Sequence, residues 1–255
     1  MMIGHRASEF SRRQLDPSRM IEINNPASSE LPCQGFGLVA GATSNGQRLD
    51  GVMPSAQEWA KKGKLRRITR WGEDVLHKPS RPVTNFDEEL HDLVADMFAT
   101  MAAADGVGLA GPQVGVDLAL FVYECPDEDG RIHSGVVCNP TVTLPEGRDR
   151  NLVATDEGCL SWPGAYQTLA RTDFAVCEGV DENGSPVRIE ATGLLARCVQ
   201  HETDHLHGTV FGDRLSARAR RQLDQQQADL AHLYPDDWPL TPRVGDRPLA
   251  EADDS

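Results

Sequence analysis

Apolar and polar positions divide the 255 residues into stretches with a clear period and stretches with none. Residues 1 to about 60 show no sustained period and are rich in small and polar residues, so a mostly disordered N-terminal extension is expected there. Near Ile68 the pattern changes to ordered, turn-punctuated chain. Across FDEELHDLVADMFATMAAADG, the residues Phe86, Leu90, Leu93, Val94, Met97, Phe98 and Met101 recur at helical spacing. Asn85 with Glu88 makes a capping signal before this helix, and Gly106 a stop after it. The Met/Phe stripe is read as core packing.

Strands are expected next in VDLALFVY and in GVVCNPTVTL, the second broken at Asn139-Pro140. FAVCEGV and PVRIEAT flank Asp181-Glu182-Asn183-Gly184, a hairpin with Asn-Gly in its turn. A second helix spans GLLARCVQHETDHLHG, with Leu194, Leu195, Cys198, Val199 and Leu206 as its apolar face and Gly208 as its cap. A third helical stretch is LSARARRQLDQQQADLAHL. The organisation expected is therefore an extension over 1–60, a catalytic domain over 61–234 and a loose, acidic, Pro-rich tail over 235–255.

The net charge of −14 argues against binding to nucleic-acid phosphates or anionic lipid, which needs clustered Lys and Arg. One basic run, Lys61-Lys62-x-Lys64-x-Arg66-Arg67, is read as a solvated linker. Six scattered cysteines without a C-x-x-C pair suggest buried or functional thiols in a reducing compartment. No stretch approaches the ~18 apolar residues of a membrane span. The expectation is a soluble cytoplasmic protein.

The candidate chemistry starts at QHETDHLHG. On a helix, positions i and i+4 share a face, so His201 and His205 can aim at one ion while Glu202 reaches a water beside it. A catalytic site wants a third protein ligand and one open position. The zincin-like endopeptidase pattern would place a third His where Phe211 stands, and phenyl cannot ligate. Upstream, DEGCLSWPG offers Cys159. Gly158 removes bulk beside it, and Pro163-Gly164 is expected to turn the chain just after it. Cys198 is read as core-facing, and Cys138 and Cys177 as buried in strands. GVGLAGPQVG lacks the Lys-Ser/Thr of a phosphate-binding loop.

GVGLAGPQ (Gly106 to Gln113), EGCLS (Glu157 to Ser161) and QHETDH (Gln200 to His205) resemble, in order and spacing, the three signature segments of peptide deformylases. The resemblance runs from about Ile68 to the third helix. It implies an α+β fold, with antiparallel strands around a central helix that carries the H-E-x-x-H motif and a C-terminal helix. It implies one divalent metal ion held by Cys159, His201 and His205, with Fe(II) expected in the cell and Zn(II) or Ni(II) as purified. Glu202 would move protons, while the Gln113 side chain and the Leu160 backbone N–H would steady the oxyanion. Gly106, Val107, Gly108, Gly158 and Leu194 would contact substrate. The reaction implied is removal of the formyl group from the N-terminal formyl-methionine of new polypeptides. The partners would be the nascent chain and the ribosome near its exit tunnel. The other readings are a catalytically silent metal-binding relative acting as a binding module and, third, the endopeptidase. Asp204 is expected to orient a ligand or a neighbouring basic group.

Two positions depart from the family pattern. Gly111 replaces a usual alanine and is expected to loosen the backbone. Trp162 replaces a smaller aliphatic and is expected at the cleft rim.

Overall fold

The computed structural model describes residues 54–245 and, ahead of them, one strand, β1 (Met20–Ile23). The rest of residues 1–53, on which most of the expected disordered extension falls, lies outside the described residues, as do residues 246–255. Two helices open the ordered chain, α1 (Ala56–Lys62) and α2 (Glu88–Ala103). Strands β2 (Gly108–Ala110), β3 (Leu120–Pro126), β4 (Ile132–Pro145), β5 (Leu152–Cys159), β6 (Trp162–Thr172), β7 (Phe174–Val180) and β8 (Pro186–Thr192) follow. Helices α3 (Gly193–Leu206) and α4 (Ala217–Leu230) complete the α+β fold.

The main sheet has the order β2-β3-β4-β7-β8, with β1 on β4, and every pairing is antiparallel. The alternation of β3 decides what covers its two faces. Leu120 and Val122 join Val136 and Cys138 of β4 in one core cluster with Leu93, Val94 and Met97 of α2. Phe121, Tyr123 and Cys125 point the other way, into a cluster with Leu195, Cys198 and Val199 of α3. Side chains one apart along a strand face opposite sides, so a helix on each face makes β3 apolar almost throughout. This sandwich puts α3 at the centre of the molecule.

Most elements fall where the periodicity places them. The β7–β8 hairpin has the expected bounds, with Gly184 at positive φ and Asp181 Oδ1 accepting from the N–H groups of Asn183 and Ser185. The break in β4 is a register shift between Cys138 and Thr141, where Asn139 takes φ 52° and its side chain bonds both backbone groups of Val83.

The cap of α2 differs from expectation. Asp87, not Asn85, is the N-cap and accepts from Leu90 N at 3.1 Å. Phe86 therefore precedes the helix and stays exposed, against the Gly184 turn. Leu194, expected on the buried face of α3, is exposed as well. The β5–β6 hairpin was not visible in the pattern, because most of β5 is exposed on both faces. Its turn is Leu160-Ser161, whereas Pro163-Gly164 lies inside β6.

Two segments at the expected domain edges are ordered. Helix α1 starts inside the stretch read as irregular; a Ser55–Glu58 capping box opens it, and Ala56 and Trp59 are buried against α2. In the basic run, Arg66 pairs with Asp96 and Arg67 with Glu73, which fixes that stretch to its neighbours. Residues 235–245 lie in the stretch read as a loose tail, yet Trp238 is buried and its carbonyl accepts from Ile68 N at 3.0 Å. Acidic and proline-rich composition conceals one anchoring tryptophan.

Candidate metal centre

Helix α3 carries two adjacent stripes. His201 and His205, one turn apart, present rings 5.0 Å between centroids. Leu194, Cys198 and Glu202 form the neighbouring stripe, running from the solvent-exposed first turn into the buried centre. Cys159 arrives from the end of β5, where the strand shifts register just before the Leu160-Ser161 turn. One ligand atom each from Cys159, His201 and His205 lies within 4.8 Å of the others, and all three residues are buried. Cys159 Sγ is 3.3 Å from His205 Nε2.

The groups around this cluster leave its donor atoms available. His201 Nδ1 is 2.7 Å from Glu157 Oε1. That bond puts a proton on Nδ1, so Nε2 is the ring nitrogen that a metal ion would take in place of a proton. Burial opposes a positive charge on His201, but hydrogen bonds to Cys159 and Glu157 overcome it and pull the ring's pKa well above the usual value. His205, in contrast, is held neutral by burial and by its neighbour His201. The pull for positive charge that favours a proton on His201 equally favours a divalent cation among a thiolate and two imidazoles. The donor set therefore fits a metal ion, with three protein ligands as in catalytic sites.

Glu202 stands beside the ligands without a protein partner for Oε2, although it is only 4% exposed. Burial pushes its carboxyl up to about 7. Its Oε1 packs on Gly108: a Cβ there would sit 2.4 Å from it and 2.7 Å from Cys198 Sγ. Only glycine lets β2 approach the carboxylate this closely. Gln113, in the short 3-10 turn Gly111–Val114, accepts from Ala110 N through Oε1 at 2.9 Å. This turns Nε2 toward Cys159 Sγ (3.6 Å) and Ser161 Oγ (3.3 Å). Among the described residues, the Leu160 N–H has no acceptor. Gly106 packs against the Leu160 side chain, and Val107 is exposed beside it. Gly158, in β5, lies under the Tyr166 ring.

Sequence reasoning missed the charged layer behind the ligands. Glu157 is buried and accepts from Arg171 Nε and Nη2 and from Arg197 Nη1, besides His201. Arg197 also donates to the carbonyls of Leu169 and Val153, which ties the β5–β6 hairpin to α3. Asp204 accepts from Arg171 and Arg214 and so holds basic neighbours, one of the two roles expected of it. The available signal was an arginine, Arg197, inside the apolar run of α3.

Burial would raise the Glu157 carboxyl, but the Arg171 and His201 bonds outweigh it and hold it far below the carboxylate range. A depressed folded pKa means that this stabilisation is complete above the unfolded value of about 4.3 and is lost as pH falls through and below it. Glu157→Ala leaves two buried guanidinium groups short of a partner and should cost about 3–5 kcal/mol. Urea unfolding at pH 7 reads this directly. A loss below about 1 kcal/mol, the range of surface pairs, would contradict the assignment.

The two departures from the family pattern are both tightly packed. A Cβ on Gly111 would lie 2.7 Å from the Leu118 carbonyl, so glycine here permits close packing and does not loosen the chain. Trp162 is fully buried, stacked on Trp71 and edge-on to Phe211; it is core, not cleft rim.

The chain is similar to proteins of one known family. The polypeptide deformylase family profile matches residues 65–221. Peptide deformylase 1 of Streptomyces avermitilis is 52% identical over 178 residues, covering 69% of this chain and 82% of that protein. The peptide deformylase of Acidothermus cellulolyticus is 48% identical over 157 residues, 62% of this chain and 82% of its own. The crystal structure of a peptide deformylase from Legionella pneumophila superposes with a TM-score of 0.59 at 38% identity, covering 67% of this chain and 97% of that one. That of Synechococcus elongatus, in complex with actinonin, gives 0.56 at 40% identity over 64% and 85%. With the matched segment spanning α2, strands β2 to β8 and the whole Cys-His-His cluster, the chain belongs to the polypeptide deformylase family.

Proposed function

We propose that Cys159, His201 and His205 hold the one divalent metal ion of this enzyme, and that Glu202, Gln113 and Leu160 carry the chemistry beside it. As a family member the chain is a metal-dependent hydrolase that removes the N-terminal formyl group from newly made polypeptides, giving formate and a free amine. The observation that carries the assignment is the convergence of three ligand atoms within 4.8 Å beside an unpartnered buried carboxylate.

An ion held there supplies Lewis-acid activation of a water and of the formyl oxygen. Glu202 accepts the attacking water's proton and passes it to the departing amine nitrogen. A carboxyl near 7 is matched to giving and taking a proton at neutral pH. The Gln113 amide Nε2–H and the Leu160 N–H donate to the oxygen that gains charge in the tetrahedral state, and both are positioned before substrate arrives. The peptide main chain adds as a strand along Gly106, Val107 and Gly108, opposite Gly158 of β5. Val107 and Leu194, both exposed, offer apolar contact at the entrance.

The native ion is Fe(II), with Zn(II) or Ni(II) taken up during aerobic purification. The test is anaerobic purification with elemental analysis, followed by assay of the iron and zinc forms. A zinc form as active as the iron form removes the iron assignment. Among the described residues no helix is long and apolar enough to cross a membrane. The place of action proposed is the cytoplasm, on nascent chains at the ribosomal exit tunnel. Failure to pellet with ribosomes at low salt would refute that docking. The catalytic unit is residues 61–234 together with the start of α1 and the Trp238 segment, which pack into its core, and no proposed site residue lies in 1–60. A chain starting at Met53 should release formate as fast as the full chain; a large loss of turnover would place the missing segment at the cleft.

A further inference from the structure

The side of α3 turned away from the metal ligands carries a second polar centre. Gln200, Thr203 and Asp204 line a cavity of about 120 Å³ there. Thr172 and three arginines line it too; Arg171 is buried, whereas Arg150 and Arg214 are exposed. Val142 and Leu144 of β4 and Leu152 of β5 supply apolar surface.

Two observations indicate what this cavity takes. The first is the Thr203 hydroxyl, on a residue 3% exposed, whose oxygen has no partner. A threonine inside a helix commonly returns its hydroxyl to the carbonyl four residues back. Thr203 does not, and it borders the cavity instead. Its neighbour Gln200 bonds Thr172 and the Ala196 carbonyl and makes no bond to the Thr203 hydroxyl.

The second observation is charge. Three arginines face the cavity against one carboxylate, Asp204, in a chain whose net charge is −14. Arg171 directs Nε and Nη2 to Glu157 and Nη1 to Asp204. Arg214 bonds Asp204 through Nε and Nη2, leaving Nη1 with no bond among the described residues. Arg150 has neither an ion pair nor a hydrogen bond among the described residues. Arg150 and Arg214 are exposed and solvated at the mouth of the cavity, so an anion seated there would replace water on both guanidinium groups while it reaches Thr203.

We propose that this cavity is a binding site for a small tetrahedral oxyanion of the phosphate class. Thr203 Oγ1–H donates to one oxygen, while Arg150 and the free Nη1 of Arg214 meet the charge. The ligand is inorganic phosphate or the phosphate group of a small metabolite; the cavity is too small for more than the head of the latter. Bound there, it joins the β4–β5 connection at Arg150 to α3 and to Arg214. It also lies against Arg171, whose other contacts hold Glu157 behind His201.

The test is calorimetric titration of the metal-loaded full chain at constant ionic strength, with inorganic phosphate in one arm and glycerol 3-phosphate in the other. Saturable binding is expected, weakened about tenfold or more in Thr203→Val and in Arg150→Gln, the size of losing a hydrogen bond to a charged group. Thr203→Val removes a hydroxyl that has no partner, so its melting temperature without phosphate should match or exceed that of the original chain. Binding of phosphate alone identifies the free ion; variant-sensitive binding of glycerol 3-phosphate as well identifies a metabolite-borne group. Absence of saturable binding in both arms overturns the proposal. So does equal binding by the original chain and both variants, which is the behaviour of phosphate reaching the metal centre instead.

Discussion

Glu202→Gln should bind one metal ion per chain and lose formate release by about 10²–10⁴-fold or more. The amide keeps the volume of the carboxylate, so the close packing against Gly108 and Cys198 survives. What disappears is the capacity to take a proton, at an oxygen that has no other protein partner. The ligand cluster does not include Glu202, so elemental analysis of the variant should match the original chain. Near-normal formate release by a metal-replete variant would remove Glu202 from the mechanism.

Cys159→Ala is expected to fail one step earlier, at metal retention. It leaves two imidazoles, a set that holds a divalent ion weakly without a third protein donor. Cys198→Ala is the matched comparison. Its thiol also lies near the centre, but faces the Val107 carbonyl at 3.6 Å and sits outside the ligand cluster. Dialysis followed by elemental analysis should show the first variant empty and the second loaded. Stoichiometric metal in Cys159→Ala would mean that another residue is the third ligand.

What the sequence revealed follows the range of the interactions concerned. The spacing of His201 and His205 is a local helical property, and so is the Asn-Gly turn of β7–β8; both are legible without tertiary information. Strand β3 was legible because both faces are largely buried and its residues, Glu124 apart, are apolar or aromatic. The opposite case is β5, whose outer residues are exposed on both faces and carry no alternation, so its hairpin with β6 could not be seen. The Glu157 layer was hidden for a different reason. Its partners come from β6 and α3, separated by 14 to 44 residues, and no local pattern encodes such pairings. The cap of α2 falls at Asp87 and not at Asn85: two capping residues stand two positions apart, and local pattern alone does not choose between them.

The most direct test of the account is formate release from a formyl-methionyl peptide by the metal-loaded chain, measured before and after removal of the ion by a chelator and again after the ion is restored. The metal centre assigned to Cys159, His201 and His205 predicts release that stops with chelation and returns in proportion to metal bound, up to one ion per chain. Release that persists in the metal-free protein, or stays absent with the site fully loaded, would contradict it.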